Sequence, residues 1–463
     1  MGDQPARAGA ANDLTQGPIV KKIVWFALPV IASNLLMQLY NAVDSIVIGQ
    51  YAGAEQLAAV GSSNAVMMLF NSLFMGFSMG ASIVVSQTFG AKNMGRLRQS
   101  INTIFALAFT VGLFITFAGV VACRPLLEVM NVPGSIIDYA HTYLTIIFIG
   151  TLGNVFFNYG GGILRGMGDS RWPLIALVVS CVLNIVLDVW SVYGLGMGVA
   201  GVAWATVIGQ TISGLVLAWR INRSGYGIKI SFREMLRPDR GIIAHVLRLG
   251  LPSGMQQTVM SLTGVVIQSF TNQFGPLFIA ANSVVMRLDG FVLMPLFGLG
   301  MTTTTFVGQN IGAGNLERAR KGVNRIAAMI VSLSLLMGFA MYFFGYYTVR
   351  AFTSDAMVME IAMQGVRIIC FIYIFMGLDG VFSGAMRGAG VAVVPMVIAI
   401  TTNIFRIPLV YQMAIVPSNY LGVFYSMAIT MTAGSLIDAA YYRFGNWHEK
   451  GVRVAGPGAG AGG

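Results

Sequence analysis

Gly90-Ala91-Lys92-Asn93-Met94-Gly95-Arg96 returns 222 residues later as Gly312-Ala313-Gly314-Asn315-Leu316-Glu317-Arg318. The same spacing relates Leu164-Arg165-Gly166-Met167-Gly168 to Met386-Arg387-Gly388-Ala389-Gly390, Pro173 to Pro395, and Gly53 to Gly275. Leu28-Pro29 and Leu251-Pro252 differ by 223, one inserted residue away. Chance does not keep one spacing at four places and come within one residue of it at a fifth. The chain is two similar halves in tandem.

Between these landmarks the sequence is apolar. Of 463 residues, 56% are hydrophobic and 10% charged, with a mean hydropathy of +0.75. Soluble domains carry roughly 25% charged residues. Runs of about 20 apolar residues recur from end to end, long enough to cross a bilayer. Within lipid such runs must be helices, because each backbone N–H and C=O has to find its partner inside the segment. Twelve spans are predicted, near 23–49, 57–88, 98–122, 136–162, 172–193, 199–220, 244–273, 279–309, 320–347, 357–385, 393–414 and 420–442. The predicted domains are a cytoplasmic segment 1–22, an N-terminal lobe 23–220, a linker 221–243, a C-terminal lobe 244–442 and a cytoplasmic tail 443–463. Six spans per half is even, so both halves insert in the same sense. The expected fold is an all-α integral membrane protein, with two six-helix lobes related by a pseudo-two-fold axis along the membrane normal and a cavity between them.

Charge orients the spans. With the N-terminus inside, 23 of the 28 Lys and Arg fall in cytoplasmic segments. Arg124 and Arg350 fall outside, and Arg287, Arg367 and Arg406 lie within spans. The positive-inside rule therefore places both termini in the cytoplasm. The expected location is a plasma membrane of the bacterial inner-membrane type. The net charge of +11 is topological, and no nucleic-acid partner is expected. Cys123, Cys181 and Cys370, like His141, His245 and His448, are too scattered for a disulfide or a zinc site. The 28 Met are read as adaptable packing, which also suits promiscuous cavities. The run 23–48 is too long for a cleavable signal and lacks a small-residue cleavage site. Residues 1–17 and 455–463 are expected to be disordered. A monomer in contact with membrane lipid is expected, with no cofactor and no enzymatic activity.

The segments Leu28-Pro29, Tyr40-Asn41-Ala42-Val43-Asp44, Gly90-Ala91-Lys92-Asn93, Leu164-Arg165-Gly166-Met167-Gly168-Asp169 and Gly308-Gln309-Asn310-Ile311-Gly312-Ala313 resemble those of the MATE (multidrug and toxic compound extrusion) family over roughly residues 20–445. The resemblance implies twelve helices in two lobes. It also implies antiport of H⁺ or Na⁺ against cationic, often aromatic, compounds.

Five acids lie inside spans, where an ionisable group is costly and marks a candidate site: Asp44, Asp188, Asp289, Asp379 and Asp438. Asp44 and Asp188 each sit about five residues before the outer end of their spans, at a depth of about 8 Å. Asn184 is one turn deeper than Asp188 on the same face. Thr206 enters from the sixth span at about 10 Å. Carboxylate, amide and hydroxyl oxygens are hard ligands, suited to Na⁺ or to a hydrogen-bonded proton. The resemblance adds that the DinF-like branch carries an acid, an Asn and Asp four apart, and a Thr at these places. In the second half Asp44 maps onto Val266 or Ile267, and Asn184 onto Arg406. The seventh span holds no acid, unlike the NorM-like branch, so coupling is expected in the N-terminal lobe. Asp289 and Asp379 are weaker candidates, as acids of the substrate cavity; Asp289 reads equally well as the partner of an Arg. Asp438 is expected to face headgroups or solvent, and Arg406 to pair with an acid or backbone carbonyls.

The function expected is export of organic cations or drug-like molecules in exchange for H⁺ or Na⁺. The alternative is a flippase for lipid-linked oligosaccharides in the same superfamily. Phosphate cargo calls for cationic spans, and the spans show five acids against three Arg. Phosphate-loop signatures need a strand before the glycines, and no strand is predicted.

Overall fold

A computed structural model describes residues 13–450, all side chains included save a few scattered positions. Twelve membrane-length passes follow one another. The first six are α1 (Ile19–Val47), α2 (Ala54–Gly90), α3 (Met94–Val129), the bent pair α4 (Gly134–Ile149) and α5 (Thr151–Gly166), α6 (Arg171–Asp188) and α7 (Gly198–Asn222). After a short helix α8 (Phe232–Met235) come α9 (Arg240–Asn272), α10 (Gly275–Gly312), α11 (Leu316–Arg350), the bent pair α12 (Ala356–Ile369) and α13 (Tyr373–Gly388), α14 (Val393–Val410) and α15 (Leu421–Phe444), then a last turn, α16 (Trp447–Lys450). Among the described residues nine helices are long and apolar enough to cross a membrane, eleven if each bent pair is one span. The twelfth pass, α9, has the length at 33 residues. Gln256, Gln257, Thr258 and Ser261 make it more polar than the rest.

The repeat is written into the backbone. Gly53 and Gly275 have φ of 90° and 82°, Gly168 and Gly390 of 82° and 95°, Lys92 and Gly314 of 54° and 73°. Asn93 and Asn315 each cap the helix that follows, accepting from the Arg96 and Arg318 amides at 2.9 and 3.0 Å. The bends repeat too, at 51° between α4 and α5 and 47° between α12 and α13. Both α6 and α14 run on into a π-helical turn, Val189–Gly194 and Tyr411–Ile415.

Close packing repeats with the same offset. A Cβ on Gly162 or Gly166 would stand 2.9 or 2.7 Å from the Ser78 or Ser82 carbonyl oxygen of α2. On Gly384 or Gly388 it would stand 2.7 or 2.5 Å from the Gly300 or Thr304 oxygen of α10. Glycines four apart lie on one helix face and let two backbones touch. In lipid this packing replaces the hydrophobic drive that water would supply.

The chain gathers into two compact units. Among the described residues, one runs over Ala32–Gly254 with Asp13; the other takes Leu14–Ile31 and the chain from Met255 to Lys450. Each changeover lies two residues past an intrahelical proline, Pro29 in α1 and Pro252 in α9.

One expectation about the chain ends needs correction. Disorder was expected through residue 17, yet Leu14 is only 2% exposed. Its amide donates to Gln309 Oε1 at 2.9 Å, and Arg318 Nη2 donates to the Gly17 carbonyl at 2.8 Å. The polar composition hid one anchoring leucine. Residues 1–12 and the expected disordered tail lie outside the described residues. The linker 221–243, for its part, is tethered: Arg98 pairs with Glu234, Asn102 donates to Glu234 at 2.8 Å, and Arg96 pairs with Asp239 at 2.8 Å.

Burial by itself pushes Asp239 up, but the Ile242 amide and then Arg96 outweigh it and hold the carboxyl below its usual range. The tether's contribution is therefore present above the unfolded value of about 3.9 and is lost as pH falls through the lower folded one. Hydrogen exchange around Ile242 is expected to quicken below about pH 4 in the native protein. In Asp239→Asn it is expected to be fast at every pH.

Candidate cation site

The site grows from residues four apart. Tyr40 and Asp44 lie one turn apart on α1, Asn184 and Asp188 one turn apart on α6. Asp188 is the last α-helical residue before the wider π turn, and Asp44 stands just before another, Ile48–Ala52. Such wide turns often occur at functional sites. Thr206 of α7 completes the group: Tyr40 donates its hydroxyl proton to Thr206 Oγ1 at 3.2 Å, and Asn184 Nδ2 donates to the same oxygen at 3.4 Å. The Asn184 amide oxygen is thereby turned away from Thr206.

The structure brings all four sequence-predicted residues together. Asn184 and Asp188 are fully buried, and Thr206 is nearly so. The Asp44 and Asp188 carboxyls face each other and act on each other. Two carboxylates are both acceptors, so they cannot bond without a proton or cation between them. Asp44 Oδ1, Asn184 Oδ1 and both Asp188 oxygens are buried with no hydrogen-bond partner. Among the described residues no Lys or Arg acts on either carboxyl. This is an anionic pocket of unsatisfied hard oxygens, and it fits a proton or Na⁺. Val47, Ile48, Val192 and Val202 cluster beside it and shield it from water.

Two residues went unassigned from sequence. Tyr40 stood in a quoted motif, and its spacing from Asp44 was the available signal. Tyr143 of α4 also acts on both carboxyls. Nothing local marks it.

The C-terminal unit holds the other three acids. Asp289 is 5% exposed, faces the Tyr373 hydroxyl and lies within the field of Arg406. Arg287, two residues earlier, is exposed, so the two do not share a face. Asp379 lies beside Asp438, with Arg387 near both. Arg387 donates to Ser383 at 3.0 Å and to Gln256 at 3.3 Å. The reading of Asp438 as facing headgroups or solvent was wrong: it is 2% exposed. The reason is helix packing: α13 lies against α15, and Asp379 stands beside Asp438 there.

The family model MatE matches twice, over residues 29–190 and 252–412, one match per half. Of curated proteins, the probable multidrug resistance protein YpnP of Bacillus subtilis (strain 168) is 29% identical over 441 residues, covering 94% of this chain and 98% of its own. The probable multidrug resistance protein NorM of Thermotoga maritima is 28% identical, covering 94% of each chain. Among solved structures, an outward-facing multidrug resistance MATE family transporter of the MOP superfamily superposes with a TM-score of 0.86 at 25% identity, covering 94% of this chain and 97% of its own. A MATE crystal structure in a bent conformation gives a TM-score of 0.88 at 25% identity, over 94% and 96%.

Proposed function

This chain belongs to the MatE family of membrane transporters, and on that premise we propose that it exports drug-like organic cations in exchange for a monovalent cation bound at Asp44 and Asp188. One observation carries the ion-coupled reading: two facing carboxyls, Asp188 buried and Asp44 half-buried, with an amide oxygen one turn away and, among the described residues, no positive side chain to balance them. Burying such charge unpaired is costly, so the pair is stable when it holds a cation and reactive when it does not. The exchanged ion, H⁺ or Na⁺, is cargo.

Coupling follows from linkage. If the cation and the drug favour different states of the transporter, each lowers the other's affinity by the same factor without contact between them. Names of relatives as multidrug resistance proteins support a drug-like cargo. The acid excess in the spans supports a cationic one.

Cargo is tested by expression in a pump-deficient host. Accumulation of lipophilic cations such as ethidium is expected to fall. Unchanged dye uptake with altered export of lipid-linked glycan would replace this reading with the flippase.

Orientation is tested by labelling. All three native cysteines are buried, so replacing them gives a clean background. A single Cys at Ser418 is expected to react with impermeant thiol reagents from outside, and one at Asn93 only after permeabilisation. The reverse pattern would turn the cation site toward the cytoplasm.

A further inference from the structure

The C-terminal unit keeps the scaffold of the cation site but not its oxygens. At the repeat offset, Asp188 becomes Val410, Thr206 becomes Ala428 and Tyr143 becomes Gly365. Asp44 becomes Val266 or Ile267. The π turn after the helix remains, Tyr411–Ile415 against Val189–Gly194. Only the Asn184 position stays strongly polar, and there the residue is Arg406.

Arg406 Nε is buried without a hydrogen-bond partner, and so is Asp289 Oδ1. Among the described residues, Asp289 is the charged group whose field reaches the guanidinium. Those acting on Asp289 are Arg406 and the hydroxyl of Tyr373, which begins α13. The counterpart of Asp289 is Met67. In the N-terminal unit Met67 packs on the apolar cluster that also takes Tyr143, at the edge of the cation site. The acid and the arginine thus approach the same part of the repeat from α10 and α14. A guanidinium carries its charge at every physiological pH and cannot leave.

We propose that Arg406 is a built-in cation, standing in the C-terminal unit where the N-terminal unit takes an exchangeable one, with Asp289 as its counter-charge. Its consequence is that ion exchange is confined to one half of a duplicated protein. The inference rests on the reading of Asp44 and Asp188 as the exchangeable site. An arginine that merely extended toward headgroups would have no dependence on Asp289.

Arg406→Asn restores the residue found at the N-terminal position and leaves Asp289 without its positive neighbour. Bound radioactive Na⁺ and bound protons are counted on purified full-length protein. Arg406→Asn is expected to hold one cation more than the parent, to keep that gain when combined with Asp44→Asn, and to lose it when combined with Asp289→Asn. A folded Arg406→Asn with no gain overturns the proposal, as does a gain that survives Asp289→Asn. If Asp44→Asn alone binds as much as the parent, the N-terminal reading fails instead, and the two failures are distinct.

Melting temperature gives a second, independent readout should Arg406→Asn fold poorly. Arg406→Asn and Asp289→Asn are each expected to lower it, and the double variant to recover most of the loss, because removing both charges strands neither. Losses that simply add would overturn the pairing.

Discussion

Asp44→Asn is expected to insert and fold like the native protein and to lose gradient-driven efflux entirely. The amide keeps the shape of the side chain and can still bond to Asp188, so the packing of α1 against α6 has no reason to change. What it loses is the second negative charge. Asp188 then faces a neutral amide that donates to it directly, and the demand for a proton or Na⁺ between the two is gone. Binding of the drug would no longer be linked to release of a cation, since a site that binds no ion cannot bias the two states. Efflux by everted vesicles, driven in turn by ΔpH and ΔNa⁺, is the measurement. Asp188→Asn is expected to act in the same direction. Normal export by well-expressed Asp44→Asn would return attention to Asp289 and to the Asp379–Asp438 pair.

Gly166→Val and Gly388→Val are expected to destabilise the protein by about 3 kcal/mol or more each, at the upper end for overpacking or beyond. A Cβ at these places meets backbone oxygen, Ser82 O at 2.7 Å and Thr304 O at 2.5 Å, rather than the movable end of a side chain. Relief requires the whole helix to shift, and in a bilayer the lost contacts are not replaced by any gain from water. Thermal unfolding in detergent is the readout. Gly61→Val, at a glycine with nothing within 4 Å of the added carbon, is the matched control and is expected to stay within about 1 kcal/mol of the native protein, since Val is a slightly better helix former than Gly. Equal stability of all three variants would remove the duplicated glycine contact from the account of the fold.

Most of the architecture was legible because the bilayer leaves few options and the repeat doubles each signal. Pro29 and Pro252, Asn93 and Asn315, and Gly168 and Gly390 recur in sequence and then in conformation. The four oxygens of the N-terminal site were legible for a related reason. Each is costly inside a span, and helical rise alone puts Asp44, Asn184, Asp188 and Thr206 at similar depth.

What was not legible depended on contacts between helices. Tyr143 is an ordinary aromatic in an apolar run, and only the packing of α4 carries it to the carboxyls. Asp438 was misread because its burial is decided by the neighbouring α13, which packs against α15. Leu14 looked like part of a polar tail because a single apolar residue leaves no periodicity. The polarity of α9 likewise reflects its neighbours, since Arg387 donates to Gln256.

The central claim is that the facing Asp44 and Asp188 carboxyls hold the cation exchanged for drug. It is tested most directly on purified protein at equilibrium, by adding ethidium and recording released H⁺ with a pH indicator and released Na⁺ with a radioactive tracer. Native protein is expected to release one of the two ions in proportion to the ethidium bound, and Asp44→Asn to bind ethidium while releasing neither. The same release from both proteins would contradict the account.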